Sequence, residues 1–187
     1  MLLLQPGHLQ SIEKHAEETY PHECCGLMLG HVDASEAKEP LLKTLVELWP
    51  VKNAWDDEAQ SAMVEAERNR LSDAQLDTPI SGGQEQPLTT RRRYWIDPKD
   101  MLAAQKYARN NGLNIIGIYH SHPDHPAVPS ECDRACAWPE YSYIIVSVPA
   151  GKASDVFSWV LDDQHQFQLE EIHGEKGSQS TNSPIDL

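Results

Sequence analysis

The sequence predicts an α/β fold in which helices flank a mixed β-sheet. Three observations carry this expectation. Helical and strand-like segments interleave without a regular βαβ cadence, and short runs of branched apolar residues are bounded by Gly and Pro. The 40% of hydrophobic residues, spread over 187 positions, suffice for one core and leave little room for two.

The elements follow in chain order. From Pro6 to Glu18, Leu9, Ile12 and Ala16 recur three to four apart among Glu, Lys and His, which predicts a helix with one buried stripe, ended by Pro21. Leu27 to Gly30, after Cys24-Cys25-Gly26, reads as a buried strand, and Leu41 to Val51 as a second. Between Asn53 and about Thr90 the pattern gives way to loop chemistry such as Ser81-Gly82-Gly83, with helix-forming residues from Ala59 to Leu71 inside it. Arg92 to Ile96 predicts a strand. Asp97-Pro98 then caps a helix that runs to Asn111, where Gly112 stops it. Leu113 to Tyr119 predicts a central strand, with His120-Ser121-His122-Pro123 at its end, and Ser130 caps a short helix reaching about Trp138. Tyr141 to Val148 is strand-like, and Val156–Leu161 with Phe167–Ile172 predicts a closing antiparallel pair around Asp162-Asp163-Gln164-His165. The expected organisation is one domain over 1–173, a loop insert at 56–90, and a disordered polar tail at 174–187.

Charge and composition exclude several functions. Fifteen Lys+Arg against 29 Asp+Glu leave a net charge of −14, with no surplus of cations to neutralise nucleic-acid phosphates. No apolar run approaches the roughly 18–20 residues that span a bilayer, and Met1 to Pro6 lacks the basic flank and length of a signal peptide. A cytoplasmic protein with free thiols is expected, since Cys24-Cys25 and Cys132/Cys136 do not form a dense disulfide framework.

His120 and His122 are two apart, so an extended backbone points both imidazoles to one face. Chance supplies about 0.4 such pairs in a chain of this histidine content, so the pair alone decides nothing. Asp133, eleven residues on, would complete a set of three protein ligands with the fourth tetrahedral position open to water. The competing reading is structural. Ser130-x-x-Asp133 also resembles a helix capping box, and both readings hold together if the capped turn keeps the ligand aimed.

Taken together, His120-Ser121-His122-Pro123, Pro129-Ser130 and Asp133 resemble the signature of the JAMM, or MPN-plus, zinc metalloprotease family. Fixing five further residues relative to the histidine pair lowers the chance expectation to the order of one in a million. Upstream, Pro21 to Gly30 resembles the family's glutamate-bearing segment, and the likeness runs from about Leu9 to Ile172 outside the insert. The resemblance implies a cytidine-deaminase-like, MPN-type α-β sandwich. It implies one Zn²⁺ held by His120, His122 and Asp133, with Glu23 as general acid/base and Ser130 assisting at the oxyanion. It also implies hydrolysis of an amide or isopeptide bond after the Gly-Gly terminus of a ubiquitin-like or sulfur-carrier protein. The alternative is a non-catalytic scaffold of the same fold that binds partners.

Other conspicuous residues have plainer expectations. Cys24 and Cys25 read as core rather than reactive thiols, and a four-thiolate site with Cys132 and Cys136 starts awkwardly from an adjacent pair. His22 and His125 read as neighbours of the site or as solvated loop residues, and Trp95, Trp138 and Trp159 as core anchors. Arg91-Arg92-Arg93 reads as a solvated strand entry in an acidic chain.

Overall fold

The computed structural model describes residues 1–33, 41–55 and 89–174. The expected helix at Ala59–Leu71, nearly all of the 56–90 insert and nearly all of the tail lie outside the described residues.

The first helix, α1 (Pro6–Thr19), starts on a favoured first-turn proline, and its buried stripe of Ile12 and Ala16 is the one its spacing predicts. The second, α2 (Pro98–Asn110), is capped by the Asp97 side chain, which accepts from the Lys99 N–H at 2.7 Å. It buries only Ala104 and Ala108, residues small enough to let the helix lie close on the sheet, and Gly112 at φ 69° follows its end. A third, short helix, α3, spans Glu131–Cys136.

Among the described residues eight strands form one mixed sheet: β1 (Leu2–Leu4), β2 (Cys25–Asp33), β3 (Leu42–Val51), β4 (Asn114–Pro123), β5 (Ser142–Val148), β6 (Val156–Leu161), β7 (Phe167–Glu170) and β8 (Ile172–Gly174). Their order is β7-β6-β5-β4-β2-β3-β1-β8, with β4 and β5 parallel at the centre. Side chains alternate across β2. Met28 joins Ile12, Ala16, Ile116 and Ile144 in a core under α1, while Leu27 and Leu29 join Ala104, Ala108, Ile118 and Tyr143 in a second core under α2. Helices on both faces explain why every residue of β5 is buried and why its sequence is nearly unbroken apolar. Among the described residues no helix is long and apolar enough to cross a membrane.

The sheet is also curled, which no local pattern announces. β7 and β8 lie at its opposite edges, yet only Glu171 separates them in the chain. A flat sheet would hold its first and last of eight strands roughly 33 Å apart, whereas one linking residue bridges only about 7 Å. The edges must therefore nearly meet. Lys43 of β3 accordingly reaches across to Ser142 of β5, its Nζ donating to the Oγ at 3.1 Å in the buried interior.

Three expectations need correction. Phe167–Ile172 is not one strand: β7 pairs with β6 and β8 leaves to pair with β1 in parallel. Arg92–Ile96 is not a strand, because its backbone groups are claimed by the Asn53 side chain and by Ala54, three residues beyond the end of β3. Asn53 Nδ2 donates to the Arg93 carbonyl at 2.9 Å, the Trp95 N–H donates to Asn53 Oδ1 at 3.2 Å, and the Ala54 N–H donates to the Trp95 carbonyl at 2.9 Å. Trp138 is not a core anchor. It is 47% exposed, because the backbone around it is tied to the buried Tyr143 hydroxyl while its ring stays outside.

Candidate metal centre

Strand β4 aims the histidines. Met28 pairs with Gly117 but Leu29 pairs with Ile115, so Ile116 is an extra residue and the strand changes face there. Ile118, His120 and His122 consequently fall on the same face as Leu27 and Cys25, toward α2. The strand continues past Tyr119 to Pro123, and β5 pairs with both histidines, His120 with Ile145 and His122 with Ser147. Both imidazoles thus stand on a central strand rather than on a loop.

The register of β2 with β4 extends beyond Cys25 opposite His120. The Ser121 N–H donates to the Cys24 carbonyl at 3.2 Å, and the Cys24 N–H donates to Ser121 Oγ at 2.9 Å. Continuing that register two residues past the Cys25–His120 pair brings Glu23 opposite His122, and Glu23 is 4% exposed and close enough for the charges of His122 and Asp133 to act on it.

Helix α3 supplies Asp133 through its cap. The Ser130 N–H and hydroxyl both donate to Asp133 Oδ2 at 2.6 Å, and the Asp133 N–H donates back to Ser130 Oγ at 3.2 Å. The cap and the site therefore share atoms. Oδ2 is held by the cap while Oδ1 lies 3.4 Å from His120 Nε2, and His122 Nε2 lies 3.1 Å from His120 Nε2 and 3.7 Å from Asp133 Oδ2.

These atoms fit a divalent cation. Ligands on a tetrahedral centre with bonds of about 2.0–2.1 Å lie about 3.3 Å from each other, close to the 3.1 Å between the two imidazole nitrogens and the 3.4 Å from His120 Nε2 to Asp133 Oδ1. His122 Nδ1 donates to the Pro126 carbonyl at 2.8 Å, which leaves its Nε2 as a lone pair facing the equivalent nitrogen of His120. His120 Nδ1 is buried without a partner among the described residues, so hydrogen bonding alone leaves this ring unsatisfied. Two imidazole nitrogens and a carboxylate turned toward one point are the donor set that suits zinc and neighbouring transition metals. Among the described residues this is the one group of three ligand-type side chains that converges.

The electrostatics of His120 and Asp133 agree with a ligand role. Burial pushes the His120 imidazole down to about 4, against the pull of Asp133, so it is neutral and able to bind a cation. Asp133 stays ionised: burial opposes its charge, but the two histidines and the Ser130 hydroxyl hold it below the usual carboxylate range. For His122, burial lowers the value, yet the hydrogen bond and charge of Asp133 and the charge of Glu23 raise it overall.

Glu23 differs from Asp133, because burial pushes its carboxyl from 4.5 up to about 8. In the metal-free protein the native state then keeps a proton that the unfolded chain releases between pH 4.5 and 8. Stability credited to that proton is present below pH 4.5 and is lost as pH rises toward 8. Glu23→Gln, which never releases a proton, should therefore gain stability relative to the parent across this window, by a few kcal/mol at its upper end. Urea denaturation of both metal-free proteins at pH 5 and pH 8 measures the difference; equal gaps at the two pH values would refute it.

All five side chains singled out by sequence lie here: His120, His122 and Asp133 converge, Ser130 bonds to Asp133, and Glu23 stands opposite His122. Sequence reading missed Tyr94, whose ring stacks on His120 at 4.4 Å between centroids and 28° between planes. It also missed Asn53, whose Nδ2 donates to the Glu23 carbonyl at 3.0 Å as well as to that of Arg93. Neither carries a local signal, since one reads as a strand aromatic and the other as a loop residue. Cys24 and Cys25 are buried, and burial pushes the Cys24 thiol up to about 12 and Cys25 higher still, which removes the thiolate a nucleophile needs. His22 is exposed with its Nδ1 2.7 Å from Thr90 Oγ1, and His125 is an exposed loop residue.

Comparison with known proteins finds relatives of this chain. The desampylase of Haloferax volcanii is 35% identical over 92 residues, covering 49% of this chain and 63% of that protein. A probable TtuB-protein conjugate cleaving protease of Thermus thermophilus is 36% identical over 75 residues, covering 40% of this chain and 49% of that protein. The chain thus matches between about half and 63% of the length of these relatives. A protein of Desulfitobacterium hafniense solved in solution shares the fold, with a TM-score of 0.65 at 23% identity over 95% of this chain and 94% of that one. The family model describing prokaryotic homologs of the JAB domain matches residues 5–162, most of the chain, and the chain belongs to that family.

Proposed function

We propose that residues 1–173 form a zinc-dependent hydrolase that cleaves the amide or isopeptide bond after the Gly-Gly terminus of a ubiquitin-like or sulfur-carrier protein. The observation that carries this reading is the convergence of His120, His122 and Asp133 on one point with Glu23 opposite His122. The names of the desampylase and of the conjugate-cleaving protease support the substrate class.

A divalent cation bound in the cluster would supply Lewis-acid chemistry, lowering the pKa of a water molecule toward neutrality, and its charge would favour ionised Glu23. His120, His122 and Asp133 would hold that cation, the first two on a rigid central strand and the third on a capped helical turn. Glu23 takes the proton of the attacking water and hands it to the departing amine, and its burial keeps the carboxyl's proton affinity high enough for both transfers. Tyr94 fixes the His120 ring by stacking, and Pro126 fixes the tautomer of His122. Ser130 stabilises the developing oxyanion by turning its hydroxyl from Asp133 to the substrate oxygen, while the Ser130 N–H keeps its hold on Asp133.

The test is cleavage of a carrier fused through Gly-Gly to a peptide, read by mass spectrometry with and without a chelator. Cleavage after the second glycine that stops on chelation and returns with Zn²⁺ is the expected result. Turnover that survives metal removal would overturn the metal chemistry, and a metal-loaded protein that binds the carrier without cutting it would favour the scaffold alternative.

A further inference from the structure

The segment from Thr90 to Tyr94 crosses the site and is anchored at both ends. At one end the Glu23 N–H donates to the Thr90 carbonyl at 2.7 Å, and at the other Tyr94 stacks on His120. Between them Asn53 Nδ2 ties the Glu23 carbonyl, at 3.0 Å, to that of Arg93, at 2.9 Å. The three residues held across this span are Arg91, Arg92 and Arg93.

A chain with 15 basic and 29 acidic residues has placed three consecutive arginines over its candidate site. Arg91 and Arg92 are exposed, and none of the three forms an ion pair with a carboxylate of the described residues. The nearby Asp124 already accepts from the Tyr20 hydroxyl and the Ala150 N–H. The guanidinium of Arg93 bonds through one terminal nitrogen to the Arg92 carbonyl at 2.6 Å, while its Nε is buried and makes no hydrogen bond. The exposed Arg91 and Arg92 are the ones open to carboxylates from outside. Beside the strap a cleft of about 340 Å³ opens along Glu23, with Thr90, His22 and Lys52 on its walls.

We propose that Arg91, Arg92 and Arg93 form a docking strap for acidic side chains of the carrier protein, next to the tail it delivers into the site. The identity of that partner rests on the carrier-processing reading above. Elsewhere the strongly negative surface repels an acidic partner, so a local positive strip both attracts it and fixes which way round it arrives. Arginine suits this role through its planar, two-pronged fit to carboxylates.

Fluorescence anisotropy with labelled peptides tests the strap without any cleavage. Three peptides share a free Gly-Gly terminus and differ upstream, one rich in Asp and Glu, one neutral and one rich in Lys. The metal-loaded wild type should bind the acidic peptide at least about tenfold tighter than the neutral one at low salt, with the preference fading as ionic strength rises. The Arg91→Glu/Arg92→Glu variant, changed only at exposed positions and checked by its melting temperature, should lose or invert that preference. Equal affinities for the three peptides in the wild type, or a preference that survives the double substitution, would overturn the proposal. So would an oligo-dT of matching charge that binds as tightly as the acidic peptide, since the strap would then be a general anion patch. A peptide preference that holds while no Gly-Gly fusion is ever cut refutes the hydrolase reading and leaves the strap standing.

Discussion

Glu23→Gln should abolish cleavage, with turnover reduced by about 10²–10⁴-fold, while metal content and fold are retained. The substitution preserves shape and hydrogen-bonding capacity and removes only the ability to accept and return a proton. Glu23 is not one of the three side chains that converge on the metal position, so its loss should not release the cation. Because the buried carboxyl is costly to ionise, the glutamine variant should fold at least as well as the parent. The decisive measurement pairs a cleavage assay with metal analysis of the same sample. Metal that disappears together with activity would make Glu23 a ligand; activity that persists would remove it from the proton transfers.

Asp133→Ala should lose both metal and activity. The substitution deletes the one negatively charged ligand and leaves two neutral imidazoles, so affinity should fall by more than the about 10–100-fold that loss of a supporting partner costs. A second effect follows from the shared atoms. Asp133 Oδ2 accepts from both the N–H and hydroxyl of Ser130, so the same change removes half of the helix cap and should cost roughly 0.5–2 kcal/mol of stability. Asp133→Asn separates the two, since an amide oxygen can still accept from Ser130 while binding a cation weakly. Titration of the metal-free variants with Zn²⁺, read by melting temperature, should show a large upward shift for the wild type and little for either variant. A wild-type-sized shift in Asp133→Ala would remove Asp133 from the ligand set.

The second prediction concerns a residue that is conspicuous in the sequence, as the two histidines are, and the reason is local geometry. Residues two apart on a strand must share a face, so His120 and His122 announce a site from spacing alone. A serine three residues before an aspartate at a helix start must form a compact hydrogen-bonded turn, so Asp133 is fixed before any tertiary contact is known. The Asp97-Pro98 start of α2 and the apolar stripe of α1 were legible on the same grounds. What failed was propensity without a partner. Arg92 to Ile96 has strand-forming side chains, but strand is a pairing and not a property of one segment, and Asn53 took up the backbone groups that a neighbouring strand would have used. The same lack of local information hid β1 and β8, three residues each, which exist only because the curled sheet offers them edges.

The sequence by itself determined the class of fold, the two-histidine face and the capped acid, because each depends on residues within a turn or two of one another. Only the tertiary structure decided that Glu23, about a hundred positions away, lies opposite His122, that the bulge at Ile116 turns both histidines toward α2, and that the arginine run becomes a strap across the site. These are consequences of strand order and register, which form when distant segments bury their apolar faces together, and no short window of sequence contains both partners of such a contact.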